Sequence, residues 1–198
     1  MTRILLIRHG TTDLLGRVLY GRTPGIFLNA EGRIQADKLA AALMTRYTLS
    51  KIVSSPLERA VQTAEPIASS ARIAITLDDG ITEIDSGSWT GKTFSDLSTL
   101  DEWQRYNRRR SLTRPPGGET MMNVQSRSWQ ALQRMIGDSD SNTIAVVSHG
   151  DVIRGLLLLF LGMSIDHIHR LEIAPASMTD VAIGPYGPIV NCVNQIFY

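Results

Sequence analysis

A single cysteine, Cys192, stands among 198 residues, so no internal disulfide can form and no thiolate set exists for a metal. Charge of one sign is equally scarce. Twenty Lys and Arg face 19 Asp and Glu, a formal charge of +1, which argues against a nucleic-acid binder held by bulk electrostatics. Long hydrophobic runs are missing too. The greasiest stretch, Gly155–Gly162, falls far short of the ~20 apolar residues that carry a helix across a bilayer. Met1-Thr2-Arg3 runs straight into a short apolar segment without a small-residue cleavage site, so no secretory signal is read and a cytoplasmic location is the default expectation. What is present is 43% hydrophobic content in a chain long enough to bury a sizeable core, which predicts one domain over residues 1–198.

Ile4-Leu5-Leu6-Ile7 shows no polar alternation, the pattern of a strand buried on both faces, and it ends on Arg8-His9-Gly10. Thr143-Ile144-Ala145-Val146-Val147 repeats the pattern and ends on Ser148-His149-Gly150. Between them the spacing predicts a helix over 30–47, a short strand at 51–53, a helix over 57–69 and a strand near 73–77. Residues 80–118 read as an irregular insertion with one helix around 95–105, and its arginine-rich stretch, Arg105 to Arg110, reads as a solvated face. A helix over 120–136, another over 152–161 and strands near 178–183 and 190–195 complete the pass. Strands alternating with helices predict an α/β sandwich with a mostly parallel sheet.

Chemistry in such sheets gathers outside the carboxyl ends of the strands. Arg8, His9, Arg59, Glu83 and His149 all fall at predicted ends. Arg59 lies in the first turn of a helix announced by Ser54-Ser55-Pro56, where the helix dipole disfavours a cation unless an anion binds there. A surface salt bridge with Glu58 or Glu65 is the plainer account of Arg59. Two arginines and two histidines suit a phosphoryl group. Guanidinium forks match its oxygens, a neutral imidazole can attack phosphorus, and a carboxyl group can protonate the leaving alcohol. A zinc site using His9, His149, His167 and His169 is the competing arrangement, but no helical His-x-x-x-His pattern supports it.

The ordered set Arg8-His9-Gly10, Ser54-Ser55-Pro56-Leu57-Glu58-Arg59-Ala60-Val61-Gln62-Thr63-Ala64, Glu83 ahead of Gly87-Ser88-Trp89-Thr90-Gly91, Pro116-Gly117-Gly118-Glu119 and Ser148-His149-Gly150 resembles the histidine phosphatase superfamily, from residue 4 to about 195. The resemblance implies a three-layer α/β/α sandwich of the phosphoglycerate mutase-like kind, with 80–118 covering the substrate. It implies His9 as the phosphorylated nucleophile, Arg8, Arg59 and His149 as the phosphate pocket, and Glu83 as proton donor and then base. Thr12 keeps a hydroxyl in the loop after His9, Tyr20-Gly21-Arg22 resembles a loop that closes over substrate, and Gly150 belongs to the second histidine motif. No metal and no cofactor are implied, and the implied partner is a small phosphomonoester, not a nucleic acid or a membrane.

Leu15 stands where many relatives carry an asparagine that contacts phosphate, a loss worth about 0.5–1.5 kcal/mol of binding. The segment after Glu83 is short and lacks the tyrosine that marks the mutase branch, so the resemblance favours the phosphatase branch. Phosphoglycerate mutase is the alternative, with Arg108-Arg109-Arg110 as its arginines. A non-catalytic phospho-ligand binder is a further one, disfavoured because no member of the site is missing.

Overall fold

Both faces of the first strand are covered, which is why its apolar run does not alternate. In the computed structural model, which describes residues 1–136 and 142–197, β1 (Thr2–Arg8) sends Ile4 and Leu6 into one core and Leu5 and Ile7 into another. β2 (Lys51–Ser54), β3 (Ile75–Leu77) and β4 (Thr143–Ser148) run parallel to it, while β5 (Met178–Gly184) is antiparallel to β1 and to β6 (Gly187–Gln195). The order across the sheet is β3-β2-β4-β1-β5-β6.

Helices α1 (Ala30–Arg46) and α2 (Glu58–Ala71) pack on the Leu5/Ile7 face. The opposite face carries α5 (Met121–Ile136) and α6 (Gly150–Phe160), with α3 (Phe94–Ser98) and α4 (Asp101–Arg108) preceding them in the chain. The fold is therefore the three-layer sandwich. α1 starts where the Asn29 side chain accepts from the Gly32 N–H, satisfying one of the free donors of the first turn.

Two elements differ from the sequence reading. β3 begins at Ile75, not Ile73, because Arg72 adopts a left-handed φ of 57° and the Ile73 N–H closes onto Ala68 O. The insertion holds two helices where one was expected. The chain turns extended at Leu100, and the break lets Leu97, Trp103 and Tyr106 meet Trp89 in a third apolar cluster. That cluster is joined to the loop after β1 by a bridge between Val18 and Thr93, with Leu19 N–H donating to Lys92 O at 2.9 Å.

Candidate active site

Strand order β2-β4-β1 brings three loop starts side by side. Arg8 faces Ser148 and Ser54 faces Val147 across the ladder, and the pairing continues one residue further. There His9 N–H donates to Ser148 O at 3.0 Å and Ser55 N–H to Val147 O at 2.9 Å. The rings of His9 and His149 consequently lie 5.3 Å apart. Gly10 must be small, since a Cβ there would sit 2.7 Å from Gly32 O at the start of α1. Its N–H donates to Thr63 Oγ1, which in turn donates to Arg59 O, so the loop after β1 and the first turn of α2 are tied together.

His9 is 1% exposed. Its Nδ1 lies 2.8 Å from Gly10 O, and a carbonyl can only accept, so Nδ1 carries the proton and Nε2 keeps its lone pair. Burial, then Arg59 and Arg8, hold His9 well below the usual histidine range. It is a neutral imidazole with Nε2 uncommitted, the form a nucleophile needs. His149, 0% exposed, is held well below that range by burial, Arg59 and His9. Ser55 Oγ accepts from Leu57 N–H at 3.4 Å and lies 2.8 Å from His149 Nε2. If its hydroxyl proton goes to Nε2, Nδ1 of His149 bears the ring proton, and that atom is buried with no partner.

Arg59 is 0% exposed and forms no ion pair with Glu58 or Glu65. Its guanidinium lies over the Tyr20 ring at 4.8 Å, Nη2 donates to Gly21 O at 2.7 Å, and Nε and Nη1 have no partner. Arg8 donates from Nη1 to Ile173 O, and its buried Nε is unpartnered. Leaving such donors unsatisfied costs roughly 1–3 kcal/mol each, and a bound anion would satisfy them.

A cavity of about 240 Å³ opens here, with Arg8, His9, Glu83 and Gly150 among its lining. Glu83 accepts the Ile84 N–H at 2.9 Å. Burial and then the charge of Asp151 push its carboxyl up to about 7, against Arg59 and Arg8. The loop that carries it is braced from behind. Arg22 and Arg127 both donate to Glu83 O, and both also hold the Glu119 carboxylate, Arg22 at 2.8 Å and Arg127 at 2.7 Å.

The predicted residues Arg8, His9, Tyr20, Gly21, Glu83 and Gly150 line the cavity, with Arg59 and His149 buried against them. Thr12 sits behind Tyr20, 3.3 Å from its hydroxyl. Arg22 does not line the cavity, because Glu83 O and Glu119 occupy its fork. Arg110 corrects the reading of its run as solvated: Arg108 and Arg109 are exposed, but Arg110 is 6% exposed, stacked 4.4 Å from Tyr106. Its partner is Asp151, in the first turn of α6, at 2.8 Å. Burial opposes ionisation of Asp151, yet Arg110 and Arg154 outweigh it and hold the carboxyl at about 2. Asp151 therefore has no proton to donate near neutral pH. Among the described residues no three His, Cys, Asp or Glu converge as a metal site would require, and no helix is long and apolar enough to cross a membrane.

The model of the histidine phosphatase superfamily (branch 1) matches residues 4–196. A bifunctional protein of Mycobacterium tuberculosis is 34% identical over 200 residues, covering 100% of this chain and 55% of that one, so the chain spans about half the length of this curated relative. Among solved structures, Bacillus stearothermophilus YhfR superposes with a TM-score of 0.91 at 27% identity, covering 99% of this chain and 98% of that one. A phosphoserine phosphatase of Entamoeba histolytica, in complex with 3-phosphoglyceric acid, gives a TM-score of 0.86 at 28% identity, covering 98% of each chain.

Proposed function

The chain belongs to the histidine phosphatase superfamily, and from that premise we propose that it hydrolyses a small phosphomonoester through a phosphohistidine on His9, without a metal. One observation carries the reading: the partnerless N–H groups of Arg8 and Arg59, with the buried and partnerless Nδ1 of His149, surround a neutral imidazole whose Nε2 is uncommitted.

The steps follow from these groups. The phosphate dianion docks against Arg8, Arg59 and His149, with the Gly150 N–H at the start of α6 adding the positive end of a helix. Nε2 of His9 forms a bond to phosphorus as the P–O bond to the alcohol breaks. Glu83, protonated up to about pH 7, gives its proton to the departing oxygen. The resulting carboxylate then takes a proton from a water molecule, whose oxygen attacks phosphorus. The N–P bond breaks, inorganic phosphate leaves and Glu83 is protonated again. Residues 1–198 act as one catalytic unit in this reading, the 80–118 segment forms the wall over the substrate, and the enzyme works on a free metabolite in the cytoplasm.

Mutase chemistry asks for a second grip on a glycerate carboxylate. Arg110, the one member of its run inside the site, is engaged by Asp151, which favours hydrolysis over mutation. Brief mixing with a 32P-labelled phosphomonoester and quenching in alkali tests the proposal. Acid-labile label on His9, with release of inorganic phosphate, is the expected result. Steady phosphate release with no label on any histidine in rapid-quench experiments would overturn it.

A further inference from the structure

Two halves of the cavity differ in chemistry. Below are Arg8, His9 and Gly150; the wall above presents Leu15, Val18, Phe94 and Trp103. These four side chains are only partly buried, so the wall is not simply the inside of the neighbouring cluster, whose buried members are Trp89, Leu97 and Tyr106. The rings of Phe94 and Trp103 lie 6.0 Å apart, tilted by 47°, and Trp103 meets Trp89 edge-on at 5.3 Å, which fixes the wall as a preformed apolar surface.

The cations above the phosphate end, Arg110 and Arg154, share the single carboxylate of Asp151, and of their buried nitrogens only Nε of Arg110, whose guanidinium is stacked on Tyr106, lacks a partner. Arg110 donates to one oxygen of Asp151 and Arg154 to the other. Arg154 Nε also donates to Leu171 O at 2.9 Å. His169, at the rim, is held below its usual range by burial and then by Arg110. No lysine lines the cavity. A second carboxylate on the substrate would lie against Leu15, Phe94 and Trp103 without a partner, and desolvating an unpaired charge is expensive. An alkyl or aryl group there gains from burial.

We propose that this site selects phosphomonoesters whose alcohol half is apolar and uncharged, an alkyl or aromatic group seated against Leu15, Phe94 and Trp103, over those carrying a carboxylate. This rests on the hydrolase reading above, so the test separates the two.

Hydrolysis of n-alkyl phosphates from ethyl to hexyl is compared with that of phosphoserine and 3-phosphoglycerate; leaving-group basicity barely changes along the alkyl series. The expected result is a rise in kcat/KM of about fourfold per buried methylene, with hexyl phosphate above both carboxylates, and a flatter series in Trp103→Ala. Calorimetric binding of n-alkyl phosphonates to the wild type gives the same increments without chemistry or substitution. A flat series, or a carboxylate substrate preferred to hexyl phosphate, overturns the apolar pocket and leaves the hydrolase intact. Phosphonates that bind more tightly with length while no monoester is hydrolysed overturn the hydrolase and keep the pocket.

Discussion

The floor and the wall of the cavity are built by opposite means. The floor is made of strand ends and first turns of helices, held in place by ladder register, and it leaves polar N–H groups without partners. The wall is made of short helices and loop, held by aromatic contact, and the arginines beside it, Arg110 and Arg154, both pair with Asp151. A rigid, unsatisfied polar surface suits a group common to all substrates; a matched, apolar one suits the part that varies. Substitutions in the floor should therefore damage turnover of every substrate alike, and substitutions in the wall should change the ranking among substrates.

His9→Ala breaks the floor most completely. Turnover of aryl and alkyl phosphates is expected to fall to background together, while circular dichroism and the melting temperature stay near wild type, because the ring belongs to none of the apolar clusters and its hydrogen bond is to the carbonyl of the next residue. Residual turnover that still distinguishes substrates would mean that the chemistry has another nucleophile.

Glu83→Gln comes next. A general acid is worth about 10²–10⁴-fold when the leaving alcohol is basic and little when it is not. An alkyl phosphate should lose a factor in that range and p-nitrophenyl phosphate far less. Equal losses would assign Glu83 to binding instead of proton transfer.

The same substitution should alter stability in a pH-dependent way. The Glu83 carboxyl, raised from 4.5 to about 7, binds more protons in the fold than in the unfolded chain across that window. Its contribution is fully present below the unfolded value and is lost as pH rises through about 7, by a few kcal/mol at most. His9 and His149 act oppositely: their lowered values cost stability as pH falls below about 6.5. In urea melts, Glu83→Gln should abolish the loss between pH 5 and 7.5 and spare the acid-side loss. An unchanged slope would show that Glu83 titrates normally in the free protein.

The floor was legible in the sequence and the wall was not, for a physical reason. Buried strands must be apolar on both faces, so their ends announce themselves, and Ile4–Ile7 and Val146–Val147 delivered His9 and His149 to adjacent positions. Arg59 stood out because a cation in a first turn contradicts the helix dipole. The wall carries no such periodicity. Trp103 and Tyr106 face a local cluster formed only once α3 and α4 break at Leu100. Nothing in three consecutive arginines tells which is the buried one. Asp151, directly after Ser148-His149-Gly150, was the available hint, since a carboxylate at a helix start beside a phosphate site needs a counter-cation. Arg22 misled in the other direction. Its loop lies at the site, but its fork reaches Glu119, 97 residues further along the chain.

The Arg110–Asp151 pair is the seam between floor and wall, one partner from each, and it sharpens the comparison with the smallest effect. Asp151 raises the Glu83 carboxyl; Arg8, Arg59 and, across the seam, Arg110 lower it. Asp151→Asn removes the charge that favours the protonated acid and leaves Arg110 and Arg154 uncompensated, so the Glu83 carboxyl should fall. The alkaline limb of kcat/KM for an alkyl phosphate, which reports the free enzyme, should move to lower pH. Arg110→Met removes a cation but leaves Asp151 ionised by Arg154 at 3.3 Å, so the limb should move to higher pH. The ionisation of the substrate is common to both variants and cancels in their difference. Structural damage from opening the same salt bridge would shift both profiles the same way or neither. Opposite shifts are therefore the signature of a seam that tunes the acid, and parallel ones would reduce the pair to a tether between wall and floor.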